Sequence, residues 1–201
     1  RPMFTGIVQS IGTITSIENK NGGKIITISL DAQLCKTSSI GDSISINGVC
    51  STIYKKTNDT ICIEYMPETL SKTYIEKYQI NETVNLELAL TLATPLGGHL
   101  VTGHIDETGT IQNIHNAKEW TEITIDIQPK FAHLIVEKGC ITLDGISLTI
   151  LNVTNSSFQV NIISHTLEHT TLSNKEIGMP VHLEYDIIGK YCQRYVECYG
   201  K

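Results

Sequence analysis

The chain has 201 residues, 40% of them hydrophobic, with 15 Lys and Arg against 21 Asp and Glu for a formal charge of −6. That balance argues against a nucleic-acid partner, which requires a basic face, and no run of 18 apolar residues exists to cross a membrane as a helix. The start RPMFTGIVQSIG lacks the charged-then-apolar layout of a secretory signal, so a cytoplasmic protein with reduced thiols is expected.

Arg1-Pro2 reads as a remnant ahead of a natural start at Met3. Past TGIVQSIGTI, the stretch NKNGGK marks a hairpin tip and KIITISL an alternating strand. SISINGVCSTI (43–53) alternates around Asn47-Gly48, a pair that favours a tight turn because both residues tolerate positive φ. KKTND is a loop, TICIEYM and VNLELAL are further strands, and ATPLGGHL (93–100) has the Pro and Gly content of a linker. The chain then repeats itself. TGHIDETGTI, CITLDGISLTI, HTLEHT and VHLE lie 97 residues after TGIVQSIGTI, SISINGVCSTI, ETLSKT and VNLE, in the same order. The tail IIGKYCQRYVECYGK loses the two-residue period and spaces its apolar residues as a helix does. The reading is an all-β protein of two similar six-stranded closed barrels. Residues 3–92 form the first and 98–188 the second, and a helix over 189–201 packs on a barrel or on another subunit.

Most changes between the copies are apolar for apolar. Three are changes of chemical type: Ile7 becomes His104, Cys50 becomes Ser147, and Glu68 becomes His165, while Thr52/Thr149 and Thr69/Thr166 persist. The copies therefore offer related pockets, one with a thiol and a carboxylate, the other with hydroxyls and imidazoles. A metal site is not expected. His99 and His104 sit five apart on a predicted strand and so face opposite ways. The cysteines Cys35, Cys50, Cys62, Cys140, Cys192 and Cys198 form no C-x-x-C pair. A Ser147–His104 nucleophile pair is conceivable, without a G-x-S-x-G elbow to support it. The pattern alone leaves the chemistry open.

MFTGIV from Met3, NGVC-T from Asn47, GGHLVTGHID from Gly97, DGISLT from Asp144, MPETL and SHTLEHTT make the chain resemble the riboflavin synthase family from Met3 to about Ile188. The resemblance implies two Greek-key barrels, assembled as a homotrimer through the C-terminal helix. It also implies lumazine-binding pockets, no cofactor or metal, and lumazine synthase as a further partner. The implied reaction transfers a four-carbon unit between two molecules of 6,7-dimethyl-8-ribityllumazine, giving riboflavin and a ribitylamino-pyrimidinedione. The active site then forms between the N-terminal barrel of one subunit and the C-terminal barrel of its neighbour.

By motif, Gly6, Ile7 and Val8 with Cys50, Ser51, Thr52 and the stretch Glu64, Tyr65, Met66, Pro67, Glu68, Thr69 line the first pocket. Gly103, His104 and Ile105 with Lys138, Ser147, Leu148, Thr149 and the stretch Ile162, Ile163, Ser164, His165, Thr166, Leu167 line the second. The catalytic set is Cys50, His104, Ser43, Asp144, Ser147 and Thr149, and Phe4 packs over the site. For Asp144 a turn-making role stands beside the catalytic one, because its partner is Asn47. Ser51 departs from a Leu common in the family and places a polar group in the first pocket's wall; Ser164 replaces a Pro. An antenna-type lumazine binder would lose chemistry in one barrel, and a flavin reductase would need an R-x-Y-[ST] motif that is absent.

Overall fold

Alternating Ile, Val and Thr make strands here because each places one side chain inward and the next outward. The first copy folds as β1 (Ser10–Lys20), β2 (Gly23–Ser29), β3 (Ser43–Ile46), β4 (Val49–Lys56), β5 (Thr60–Tyr65) and β6 (Thr83–Leu88). These close into a barrel in the order β1-β2-β5-β4-β3-β6. The second copy gives β7 (Glu107–Asn116), β8 (Trp120–Asp126), β9 (Cys140–Leu143), β10 (Ile146–Leu151), β11 (Ser157–Ile163) and β12 (Pro180–Tyr185), closed in the equivalent order. Every strand of the second barrel starts 97 residues after its counterpart. The structure, a computed structural model, describes residues 2–200. Arg1 of the expected N-terminal remnant and Lys201 of the expected C-terminal helix lie outside the described residues.

Tight turns fix the registers. Asn47-Gly48 joins β3 to β4 with φ of 44° and 85°, and Asp144-Gly145 joins β9 to β10 with 45° and 82°. Both residues at positive φ are what a two-residue hairpin turn matched to strand twist requires. Each interior is a mainly apolar core, with Ile26, Ile44, Ile61 and Leu86 in the first barrel and Ile123, Ile141, Phe158 and Leu183 in the second. Each such side chain contributes about 1.5–3 kcal/mol by leaving water.

Short helices close the barrels: α1 (Ala32–Thr37), α2 (Pro67–Lys72) and α3 (Ser164–Glu168). The final helix α4 runs Ile187–Tyr199, two residues ahead of its expected start, because the Asp186 carboxylate caps it by accepting from the Ile188 N–H at 2.9 Å. It rests near the turn Pro129–Leu134 and leaves Tyr191, Tyr195, Val196 and Tyr199 exposed. No helix among the described residues is long and apolar enough to cross a membrane.

The barrels meet across a seam of equivalent residues. The Tyr74 N–H donates to His182 Nε2 at 3.0 Å, and the equivalent Thr171 N–H donates to Asn85 Oδ1 at 2.8 Å. His182 Nδ1 bonds the Asn47 carbonyl at 2.8 Å, and Asn85 Nδ2 donates to the Asp144 carbonyl at 3.0 Å. Nε2 accepts, so the proton of neutral His182 sits on Nδ1. Asp144 is wholly buried here, accepting from Tyr74 OH at 2.9 Å and the His182 N–H at 2.7 Å, and ion-paired to Lys175 at 2.8 Å. This corrects the catalytic expectation for Asp144: its carboxylate is consumed by the seam. Phe4 lies at the bridge between the two leading segments. It is buried beside Val101, with which it exchanges both backbone hydrogen bonds.

Candidate active site

Between Gly98 and Asp106 the expected strand does not form; only Val101 makes a bridge. His99 and His104 therefore reach two different places, not two faces of one strand. The leading segment of each copy crosses to the other barrel. The Cys50 N–H donates to the Gly103 carbonyl and the Ser147 N–H to the Gly6 carbonyl, each at 2.8 Å. Ile105 packs against the first core and Val8 against the second. Gly6 (φ 75°) and Gly103 (φ 76°) are glycines for two reasons: the positive φ, and the absence of room. A Cβ at Gly103 would lie 2.6 Å from Cys50 Cβ, and one at Gly6 would lie 2.6 Å from Ser147 Cβ.

The grouping of the pockets is thereby corrected. A cavity of about 280 Å³ on the first barrel is lined by Val49, Cys50, Glu68, Thr69, Lys72, Thr73 and, from the other copy, Gly103, His104 and Ile105. Gly6, Ile7 and Val8 belong beside Ser147. Cys50 is partly buried, and burial pushes its thiol above the usual range. The Ser43 hydroxyl opposes that shift by hydrogen bonding, and the charge of Glu184 adds to it. The resting group is a neutral thiol. Glu68 and Lys72 form an ion pair at 2.7 Å on α2, which holds the exposed Glu68 carboxyl below its usual range.

At the second barrel Ser147 Oγ lies 2.7 Å from His99 Nδ1, and His99 Nε2 lies 3.3 Å from Thr142 Oγ1. The conceivable Ser147–His104 pair is replaced by Ser147–His99. His99 is 8% exposed, and burial lowers its pKa, opposed by the charge of Asp186, so its resting form is the neutral imidazole. The offset places Pro2 opposite His99, so comparing the copies could not reveal this partner. His165 on α3 and His169, its C-cap, lie with ring centroids 4.2 Å apart and planes tilted by 32°, where the first barrel has Glu68 and Lys72.

Thr52, Thr149, Lys138, Met66, Pro67, Ile163 and Ser164 are exposed, and Glu64 pairs with Lys20 at 3.2 Å on the surface. Thr166, Leu167 and Leu148 are half-buried. Tyr65 and Ile162 point into the barrels, so only their backbones can face a ligand. Ser51 also points inward, with Val49 and Ile53; its hydroxyl bonds the Val49 carbonyl at 3.0 Å and Tyr65 OH at 2.9 Å. The expected polar group in the pocket wall is thus a polar pair inside the barrel. All six cysteines are free thiols. Among the described residues no three His, Cys, Asp or Glu side chains gather as metal ligands do.

Residues 5–89 and 102–186 each match the family described as the lumazine binding domain. The chain is 40% identical over 194 residues to the riboflavin synthase of Actinobacillus pleuropneumoniae, covering 96% of this chain and 90% of that one. It is 36% identical over 194 residues to the enzyme of Bacillus subtilis (96% and 90% covered) and 37% over 202 residues to that of Mycobacterium tuberculosis (98% and 100%). Among solved structures, LumP complexed with 6,7-dimethyl-8-(1'-D-ribityl) lumazine shares the fold with a TM-score of 0.83 at 22% identity, over 90% of this chain and 98% of that one. Two lumazine-binding domains in one chain, matched end to end by these enzymes, mean that the chain belongs to the riboflavin synthase family.

Proposed function

We propose that the chain carries out the riboflavin synthase reaction, in which one 6,7-dimethyl-8-ribityllumazine gives a four-carbon unit to a second. The observation that carries this reading is the pair of equivalent but chemically unequal sites, Cys50 with His104 and Ser147 with His99. Two identical substrates need similar surfaces to bind and different groups to take different roles. Holding both in register supplies roughly 7–11 kcal/mol of the barrier as effective molarity. The 7-methyl protons of the lumazine are acidic because the carbanion delocalises into the ring, so an imidazole is a sufficient base. His104 supplies it beside Cys50, whose thiol adds to the acceptor or positions a water that does. Ser147, oriented by His99, and Thr149 hold the partner substrate, while the Gly6–Val8 and Gly103–Ile105 backbones border the rings.

The apolar face of α4 fits a homotrimer in which the N-terminal barrel of one subunit faces the C-terminal barrel of the next, in the cytoplasm. Sedimentation of the full chain at micromolar concentration should report three subunits, and a monomer would remove this assembly. For the reaction, the purified protein is incubated with the lumazine alone. One riboflavin per two lumazines consumed is expected; tight binding without riboflavin sinks the reading in favour of an antenna-type binder.

A further inference from the structure

We propose that Glu184 and Glu87 are positioning residues: each clamps the segment its own barrel lends to the other barrel's pocket, and Glu184 thereby fixes His104 against Cys50. The Glu184 carboxylate accepts from the Thr102 N–H at 2.7 Å, the Thr102 hydroxyl at 2.6 Å and the Gly103 N–H at 2.8 Å. Glu87 accepts from the Thr5 N–H and hydroxyl at 2.6 Å each and from the Gly6 N–H at 3.0 Å. Both carboxylates are buried, at 2% and 3% exposure. Three donors converging on a buried carboxylate is an expensive arrangement to maintain for a mere surface segment.

The geometry gives the clamp its purpose. Gly103 is held from both sides, its N–H by Glu184 and its carbonyl by the Cys50 N–H. The next residue is His104, which lines the Cys50 cavity. The imidazole therefore sits on the residue directly after the clamp. Glu87 performs the same operation on Gly6, and the residue it delivers beside Ser147 is Ile7. Identical clamps thus deliver a base to one pocket and an apolar side chain to the other. The charge of Glu184 also adds to the upward shift of the Cys50 thiol. The clamp touches both members of the first site, one by position and one by field.

Glu184→Gln keeps the shape but offers one acceptor oxygen in place of two, and it removes the charge. Glu184→Asp keeps the charge but falls short of Gly103. The turnover readout rests on the proposed reaction; alkylation of Cys50 by iodoacetamide, followed against pH by peptide mass, does not. In the full chain, Glu184→Gln should lower kcat about tenfold or more with KM changed less than roughly threefold, because a displaced base costs rate, not binding. Its Cys50 alkylation profile should move to lower pH. Glu184→Asp should lower kcat with the alkylation profile in place, and Glu87→Gln should raise KM more than it lowers kcat. If the wild type makes no riboflavin, the kinetic arm is silent on the clamp and the alkylation arm still decides it. A folded Glu184→Gln with wild-type kcat, or with an unmoved alkylation profile, overturns the proposal. So does failure of both Glu184 variants to fold, which would make the residue architectural.

Discussion

The two barrels agree in backbone, and their side-chain chemistry differs at the pockets and at the seam. In the first barrel Ser43 and Cys50 lie on β3 and β4; in the second the equivalent residues are Cys140 and Ser147 on β9 and β10. Thiol and hydroxyl have exchanged strands, while the threonines paired across from the first of each, Thr52 and Thr149, are unchanged. The equivalent helices carry an ion pair in one copy, Glu68–Lys72, and in the other an imidazole, His165, that contacts the C-cap imidazole of His169 at a tilt. At the seam the neutral residues Asn47, Tyr78 and Asn85 face Asp144, Lys175 and His182. A closed barrel fixes where the chain runs through its hydrogen-bonded ladder, and leaves the outward positions free to differ.

Making the copies alike should break the molecule in proportion to what each difference carries. Asp144→Asn gives the second turn the residue of the first and removes the counter-ion of Lys175, 11% exposed, which keeps only the Tyr74 hydroxyl and the Pro180 carbonyl as acceptors. Chemical denaturation should show a loss of about 3–5 kcal/mol, and a change under 1 kcal/mol would mean that the ion pair does not matter to the seam.

His182→Asn copies Asn85 and tests the pH response. Burial lowers the pKa of His182 to about 4, opposed by the charge of Asp144. Between pH 6.5 and 4 the unfolded chain takes up a proton that the folded chain refuses, so stability is full above pH 6.5 and falls as pH drops. Across two pH units that is at most about 2.7 kcal/mol. Thermal melts from pH 7 to 4.5 should show a shallower decline for the variant, and parallel curves would remove His182 as the cause.

Cys50→Ser places the second barrel's hydroxyl in the first pocket. Turnover should fall at least tenfold, about 1.4 kcal/mol in the barrier, with the melting temperature nearly unchanged. Wild-type activity in this variant would end the thiol's role. Tyr65→Phe leaves the Ser51 hydroxyl with the Val49 carbonyl alone and should cost about 1 kcal/mol, read from the urea midpoint.

The sequence made the duplication legible because the offset never slips. It also made the turns legible, because Asn-Gly and Asp-Gly announce positive φ. Cys50 and His104 stood out as changes of type, and they do share a cavity. The crossing of Gly6 and Gly103 to the opposite barrel was not legible: either pairing satisfies the same motifs, and the deciding hydrogen bonds span 141 and 53 residues. The inward aim of Ser51 was available, since Val49, Ser51 and Ile53 share one parity on β4. Its partner Tyr65 was not, because nothing local marks a tyrosine whose hydroxyl ends inside a barrel. Asp144 was legible as a turn residue and misleading as an acid, since only the packed seam shows Lys175 and His182 closing over it.

The turns Asn47-Gly48 and Asp144-Gly145 abut so closely that a Cβ on Gly48 would lie 2.8 Å from the Gly145 nitrogen. A pair of separate, identical barrels meeting there would have to inherit every mutation twice, once on each side of the axis, and a lone charge would confront its own copy. Joining the barrels in one gene releases that constraint. Asp144 with Lys175 then occupies one half while Asn47 with Tyr78 occupies the other, and a substitution in either half leaves the other unchanged.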